Sequence, residues 1–425
     1  MDGFSSRRHF LGSLTAAAGV AAFSNVESLA AELAKTRRRP SVADWAAIRA
    51  DFPRLARKLW LNASATHPFN VNTIRALEAY SQFRLLGPGA EYQGFSEDLR
   101  AETKRIYSGL IGASPEDIAF CLSTTDGENV VVAGLELEKR GGNIVIDDLH
   151  FAASEYLYSS LANLGVIELR VVKNRNWTVD IDDMEKAIDS NTRLVSMALV
   201  SNVNGYMHDS KAISEIAHAN GALVYGDIIQ GAGCAPIDVN EMGLDCCANS
   251  SYKYLMGDFG LGFLYVRPEL QGEVVKQTRW GLQQVQGSTQ KPGAAGLYEG
   301  TTSFSYPSGV ATLEGLRYIE SIGIPDIRSH AKQLTDRLHD ELPRLGYAAM
   351  TPRDNPTPTV TFEVPDGART NRLLDEAFGE SVVAIRTYQQ NRADGGVDEI
   401  TGMRIGVSVY NNDDDIDQLL AALSR

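Results

Sequence analysis

The sequence predicts an α/β fold in which a mostly parallel central sheet carries helices on both faces, followed by a smaller C-terminal α+β unit. Between about residues 100 and 266, short apolar runs alternate with amphipathic stretches of helix length, a pattern typical of strands joined by crossover helices. After about residue 300 the pattern changes to long amphipathic helices with fewer strands. The 425 residues, 44% hydrophobic and 22% charged, suffice for one large and one smaller domain.

The elements follow from the apolar periodicity along the chain. The predicted strands of the large unit are IAFCL, NIVIDD, VIELRVV, RLVSMALV, ALVYGD, DCCANS and LGFLYV, with helices near residues 127–138, 152–163, 181–188 and 210–219. In the C-terminal unit, the strands TVTFEV, SVVAIR and MRIGVSV accompany helices near residues 307–321, 325–344, 368–378 and 413–423. The predicted division is an export signal at residues 1–35, an N-terminal arm at 36–60, a large domain at 61–300 and a small domain at 301–425.

The first 30 residues have the pattern of an export signal. Arg7 and Arg8 stand just before Phe10 and a modest Ala/Gly-rich apolar segment that is too short to span a bilayer. This pattern is typical of a twin-arginine signal. We therefore expect the folded protein to be exported by the twin-arginine machinery to the periplasm, with no stable membrane anchor.

Charge and cysteine content exclude several functional classes. The formal net charge of -14 disfavours nucleic acid and anionic membranes as partners, because both favour a basic surface. The four cysteines, at positions 121, 234, 246 and 247, have no zinc-type spacing, and no metal site is expected. Composition therefore favours an enzyme that acts on a small molecule.

One pair of residues indicates the chemistry. Asp227 ends an apolar run that predicts a buried strand, and Lys253 follows 26 residues later in the turn SSYK. A carboxylate that can hold a pyridinium nitrogen and a lysine that can form a Schiff base are what pyridoxal 5′-phosphate (PLP) requires of a protein. The sequence therefore predicts PLP as cofactor.

Polar residues at other predicted strand ends support this interpretation, because ligands of parallel sheets bind beyond the carboxyl ends of the strands. A helix beginning in CLSTTDGEN offers backbone amides and hydroxyls to a phosphate. His150 could stack on the cofactor ring, and Asn202 could hold its phenolic oxygen. The remaining candidates near Asp227 and Lys253 are Gln230, Ser250 and Tyr252.

The segments STTDGEN, HFA, VSNVNG, DIIQ, SSYK and MRIGVSVYNN resemble, in order and spacing, the class V aminotransferases, a family of fold-type-I PLP enzymes. The resemblance runs from about residue 44 to the C-terminus. It implies Lys253 as the Schiff-base lysine, Asp227 as the pyridinium partner and His150 as the stacking ring. It further implies that the phosphate is bound by Thr124, Thr125, Ser250 and Tyr252. The phenolic oxygen would be bound by Asn202 and Gln230.

The resemblance also implies a substrate side and a subunit interface. Arg404 in MRIGVSVYNN would bind the substrate carboxylate by a two-pronged contact, with Arg386 as a second ligand and Asn62 lining the same side. The family borrows a phosphate-binding threonine from a neighbouring subunit, which Thr301 or Thr302 could supply. A homodimer with two shared sites is therefore expected.

We expect an exported aminotransferase that acts on an amino-acid-like substrate through a Schiff base and an α-carbanion. An exported metabolite such as a peptide siderophore is one candidate substrate. The alternatives are an epimerase or a β- or γ-lyase on the same scaffold, and a ligand-binding protein that has lost catalysis. Cysteine desulfurases place a nucleophilic cysteine in the loop after the Arg-Thr pair, and the matching loop TYQQNRADGGVDEITG has none. Sulfur transfer through a persulfide is therefore not expected.

Overall fold

The computed structural model of the protein describes residues 43–88, 95–280, 294–299, 305–379, 382–391 and 396–425. The predicted export signal with Arg7 and Arg8, and the predicted phosphate ligands Thr301 and Thr302, lie outside these residues. Within the described ranges, no helix is both long enough and apolar enough to cross a lipid bilayer.

A seven-stranded sheet forms the centre of the large unit. Its strands are β1 (Ile118–Cys121), β2 (Asn143–Asp147), β3 (Glu168–Val172), β4 (Thr192–Ala198), β5 (Leu223–Asp227), β6 (Cys246–Ser250) and β7 (Gly262–Val266). They lie in the order β1-β7-β6-β5-β4-β2-β3. All neighbours from β6 to β3 are parallel, whereas β7 is antiparallel to both β1 and β6. The predicted mostly parallel sheet is confirmed.

Helices cover both faces of this sheet. The α-helices between residues 43 and 222, numbered in chain order, are α1 (Trp45–Ala50), α2 (Val71–Leu86), α3 (Glu97–Leu110), α4 (Thr124–Gly134), α5 (Leu137–Arg140), α6 (Ala152–Asn163), α7 (Ile181–Ala187) and α8 (Ser210–Ala219). Because successive strand residues point to opposite faces, Val224 joins the core that contains α3 and α8. Its neighbour Tyr225 joins the core that contains α4 and α6.

The C-terminal unit is built on a second, antiparallel sheet. After α9 (Tyr306–Ile322) and α10 (Ile324–Glu341) come β8 (Thr359–Glu363), α11 (Gly367–Phe378), β9 (Ala384–Asn391), β10 (Val397–Gly406) and α12 (Asp413–Leu423), with strand order β8-β10-β9. Short 3-10 helices occupy Pro53–Ala56, Pro115–Asp117, Pro268–Leu270, Ala295–Tyr298 and Leu342–Leu345. Helices α10, α11 and α12 share one core with this sheet. The predicted smaller α+β unit is therefore present.

Two segments connect the units. Helix α9, which the periodicity places in the C-terminal unit, buries Leu316 in the core of the large sheet. At the N-terminal arm, Arg49 Nη2 donates to Asp415 Oδ1 at 2.8 Å, and Trp45 stacks on His330 with ring centroids 3.8 Å apart. The arm is thereby fixed to the C-terminal unit.

The loop that follows β4 is hydrogen-bonded to the C-terminal unit. Four of its carbonyl oxygens accept from side chains there: Asn202 from Arg404 (2.6 Å), Val203 from Thr361 (3.0 Å), Asn204 from Thr351, and Gly205 from Thr357 (2.8 Å). Gly205 has a φ of +77°, and a Cβ at this position would lie 2.0 Å from the carbonyl oxygen of Thr359. The loop therefore requires glycine both for its conformation and for the close approach of the two units.

We predict that Gly205→Ala destabilises the protein by more than about 2 kcal/mol, because a methyl group adds a backbone clash to a left-handed conformation. Gly221→Ala is the matched control, since Gly221 has a φ of +79° and no atom lies within 4 Å of the point that its Cβ would occupy. That variant should lose only about 1 kcal/mol. Thermal unfolding of the two variants at one scan rate makes the comparison, and equal Tm values would show that the contact with Thr359 does not matter.

Candidate active site

A cavity of about 290 Å³ lies at the carboxyl ends of β4, β5 and β6. Strands that run parallel end at the same edge of a sheet, so the polar residues that follow them meet there. The cavity wall contains these sequence-predicted residues: Thr124, Thr125, Asn202, Asp227, Gln230, Ser250, Tyr252 and Lys253.

Asp227 and Lys253 are both buried in this wall, with 3% and 9% of their surface exposed. Burial raises the pKa of Asp227 to about 6, although the Ile229 amide, which donates to its Oδ1 at 3.0 Å, and the charge of Lys253 act in the opposite direction. Burial likewise lowers the pKa of Lys253 to about 8, against the attraction of Asp227. Each group is therefore displaced towards its neutral form.

The predicted anion site lies where α4 begins. Ser123 caps this helix, since its Oγ accepts from the amide of Asp126 at 3.1 Å. Thr124 and Ser250 exchange hydrogen bonds: the Thr124 amide donates to Ser250 Oγ and the Ser250 amide donates to Thr124 Oγ1, each at 2.9 Å. A Cβ at Gly127 would lie 2.6 Å from that of Ala248, so α4 packs directly on β6. The helix N-terminus and two hydroxyls thus face the cavity together, which suits a phosphate.

Two side-chain amides in the wall have buried oxygen atoms without a partner in the described part of the chain. These atoms are Asn202 Oδ1 and Gln230 Oε1, while Gln230 Nε2 donates to the carbonyl of Ser64 at 3.0 Å. Buried polar atoms rarely lack a hydrogen bond in a native protein. A polar ligand in the cavity would satisfy them, and an amine, a carboxylate, an anion site and these amides together fit PLP.

Among the described residues that line the cavity, the structure includes Phe151 and not the sequence-predicted His150. This ring is buried behind the cavity wall: the amide of Phe151 donates to its Nδ1 at 2.7 Å, and its Nε2 lies 2.9 Å from Ser196 Oγ. With Nδ1 accepting, Nε2 carries the proton, and burial lowers the pKa of His150 to about 4. Phe151, which is 38% exposed, forms the wall instead. The only sequence signal for Phe151 is a second ring next to His150 in the same strand-end loop.

The predicted substrate side lies next to the cavity rather than in its wall. Arg404 on β10 is 8% exposed, its Nη1 donates to the carbonyl of Asn202, and its Nε is buried without a partner in the described chain. Its charge contributes to the lowered pKa of Lys253. Asn62 forms an isolated β-bridge with Gly406 at the end of β10, and its buried Oδ1 has no hydrogen-bond partner among the described residues.

Arg386 is not brought into the cavity. It is exposed on β9, and its Nη1 donates to the carbonyl of the preceding residue, Ile385, at 3.1 Å. The register pairs Arg386 with Gly402 and Arg404 with Ala384, so both arginines lie on the same face of the small sheet.

A sequence model described as aminotransferase class V matches residues 61–419. A probable cysteine desulfurase from Methanothermobacter thermautotrophicus is 30% identical over 348 residues, which cover 78% of this chain and 85% of that protein. An uncharacterised aminotransferase, YcbU, from Bacillus subtilis is 29% identical over 285 residues, covering 67% of this chain and 75% of the relative.

Solved structures share the fold. The cysteine desulfurase CsdA from Escherichia coli superposes with a TM-score of 0.77 at 22% identity, covering 91% of this chain and 98% of that one. The cystine C-S lyase C-DES gives a TM-score of 0.73 at 20% identity, covering 88% and 99%. At this identity the likeness establishes the fold-type-I architecture alone.

We predict that the rate at which the apoprotein attaches PLP covalently rises about tenfold per pH unit and levels off above about pH 8, because only the neutral amine attacks an aldehyde. Lys253→Ala should abolish attachment, and Lys211→Ala, at an exposed position on α8, should leave it unchanged. N-acetyl-lysine measured in the same buffers corrects for the ionisation of PLP itself. A rate that levels off only near pH 10 would contradict the lowered pKa that burial gives Lys253.

Proposed function

The chain belongs to the class V aminotransferase family, and we propose that it is an aminotransferase that acts on an amino-acid-like substrate. Its cofactor is PLP, which when bound supplies an electrophilic aldehyde and an electron-withdrawing ring. The observation that carries the proposal is the burial of Lys253 and Asp227 in the wall of one cavity. A catalytically inactive binding protein would have no need to keep both charges buried.

Three residues have different roles in the proposed reaction. Lys253 has a pKa of about 8, so its Nζ can both hold and release a proton near neutral pH, as transfer at a substrate α-carbon requires. The Asp227 carboxylate stabilises a positive charge on the ring nitrogen. Arg404 binds the substrate carboxylate through guanidinium N–H groups that include Nε, which has no partner within the described ranges.

Phe151 takes the stacking role that the sequence gives to His150. Its ring lies in the cavity wall, whereas both nitrogens of His150 are hydrogen-bonded behind it. Offset stacking of an aromatic side chain on a cofactor ring contributes about 0.5–1.5 kcal/mol beyond its buried area.

The cysteines argue against sulfur transfer through a protein persulfide. All four are buried, and none lies in the cavity wall. Burial raises the pKa of each thiol, whereas a nucleophilic cysteine must be available as thiolate. The relatives named cysteine desulfurase nevertheless favour a β- or γ-lyase as the second candidate, since elimination needs no protein thiol.

We predict that the holoenzyme, incubated with a panel of L- and D-amino acids, forms pyridoxamine phosphate and a keto acid in stoichiometric amounts during a single turnover. The Lys253→Ala variant, which lacks the proton shuttle, should form neither product. Release of sulfide or ammonia with PLP regenerated would identify a lyase instead. Exchange of the α-hydrogen without a keto acid would identify an epimerase.

We further propose that the protein is exported through the twin-arginine pathway and acts in the periplasm, where an exported metabolite such as a peptide siderophore would be its substrate. The support is the Arg7-Arg8 pair and the apolar segment that follows it.

We also propose a homodimer in which Thr301 or Thr302 reaches the phosphate of the partner subunit's site. Light scattering that gives the monomer mass of 46.2 kDa for the full chain would contradict the dimer.

We predict that replacing Arg7 and Arg8 together by lysine retains the protein in the cytoplasm of a bacterium with an active twin-arginine pathway, because the signal requires the arginine pair. The same change at Arg37 and Arg38, two of the three consecutive arginines at residues 37–39 beyond the apolar segment, should leave export intact. Cell fractionation followed by immunoblotting measures both. Wild-type protein found in the cytoplasm would remove the proposal.

A further inference from the structure

Behind the cavity wall lies a buried carboxylate that the proposed chemistry does not use. Glu128 is on α4, one turn after the phosphate-binding N-terminus, and is 1% exposed. Burial raises its pKa to about 7, with a further increase from the charge of Asp227. Burying a carboxylate is costly unless hydrogen bonds compensate, so its position calls for a role.

Three hydroxyl groups converge on Glu128. Ser154 Oγ donates to its Oε2 at 2.6 Å, Tyr158 OH donates to its Oε1 at 2.8 Å, and Ser196 Oγ donates to Oε1 at 3.4 Å. Ser154 and Tyr158 are one turn apart on α6, and Ser196 is on β4. Glu128 therefore joins the helix that begins at the phosphate site to the helix that begins beside Phe151.

Ser196 extends this network to the cavity wall. Its Oγ, which donates to Glu128, accepts the Nε2 proton of His150 at 2.9 Å. The tautomer of His150 is thereby fixed, with Nδ1 left to accept the amide of Phe151. Phe151 in turn occupies the N-cap position of α6, and its ring lies in the cavity wall.

We infer that Glu128 is a positioning residue for the cofactor, acting through Ser196 and His150 to hold the ring of Phe151 against PLP. The inference rests on the proposed stacking role of Phe151. Glu128 would thus have an effect on cofactor binding besides its effect on stability. Its carboxylate would hold the Phe151 side of the cavity at a fixed position relative to the site of the PLP phosphate.

The test measures the Kd of PLP for the apoprotein, the circular dichroism that the bound cofactor acquires, and the Tm of the apoprotein. Ser196→Ala is the central variant, because it breaks the link to His150 and leaves the hydroxyls of Ser154 and Tyr158 on Glu128. We expect it to weaken PLP binding about tenfold, the upper range of one stacking contact, and to reduce the dichroism. Ser154→Ala, the same substitution on the other side of Glu128, should change the Kd less than about threefold.

A double-mutant cycle separates this effect from general damage. If Ser196 acts through Phe151, Ser196→Ala should have no further effect on the Kd in a Phe151→Ala background, since coupled residues are not additive. Glu128→Gln keeps an acceptor for Tyr158 and Ser196, so it should retain the dichroism that Glu128→Ala loses. Asp415→Asn, at a buried carboxylate in the C-terminal unit, should lower the Tm without changing the Kd.

Additive effects in the cycle, or equal loss in Glu128→Gln and Glu128→Ala, would overturn the inference. Failure of the wild-type protein to bind PLP would instead reject the cofactor. A normal Kd in Phe151→Ala would reject the stacking role proposed for Phe151 and, with it, this inference. These outcomes are distinguishable because they appear in different proteins: the double variant and the two Glu128 variants, the wild type, and Phe151→Ala.

Discussion

The burial of an amine and a carboxylate at the carboxyl ends of two adjacent strands is the constraint on which this site depends. Asp227 pairs with Ala248 across β5 and β6, so Lys253, five residues beyond Ala248, lies in the turn above the same edge. Both charges are desolvated, and both pKa values move towards the neutral forms despite the mutual attraction. A ligand that brings a cationic nitrogen to Asp227 and a carbonyl carbon to Lys253 offsets both desolvation costs at once.

Strand β6 connects this pair to the phosphate end of the site. Ser250, its last residue, is bonded to Thr124 in the first turn of α4, and the lysine turn begins directly afterwards. The absence of a side chain at Gly127 and the small methyl group of Ala248 allow α4 to pack against β6 closely enough for this contact. The separation between the anion site and Lys253 is therefore set by backbone packing, and a cofactor of fixed length has a rigid place to bind.

Much of this arrangement could be predicted from the sequence because it depends on local patterns. Apolar periodicity places the seven strands of the large sheet within about two residues, whereas β9 begins three residues after the predicted SVVAIR and β10 begins six residues before the predicted MRIGVSV. In the large sheet, the rule for parallel strand ends then brings together residues as distant as Thr124 and Lys253. The antiparallel insertion of β7 between β1 and β6 has no comparable local signal. Neither does the orientation of His150, whose Nε2 donates to Ser196 Oγ, on a residue 46 positions along the chain.

The substrate side depends on contacts of still longer range. Arg404 reaches the site from a different sheet by binding the carbonyl of Asn202, whose side chain lies in the cavity wall. Opening the two units at this loop would also break the hydrogen bonds that Thr361 and Thr357 donate. Each such bond contributes on the order of 1 kcal/mol, and the backbone at Gly205 lies so close to that of Thr359 that a Cβ there would be 2.0 Å from the Thr359 carbonyl oxygen. These contacts fix the position of the Arg404 guanidinium beside the cavity when the protein folds. Under the proposal that Arg404 binds the substrate carboxylate, discrimination among substrates would depend on how the side chain beyond the α-carbon fits the rest of the site.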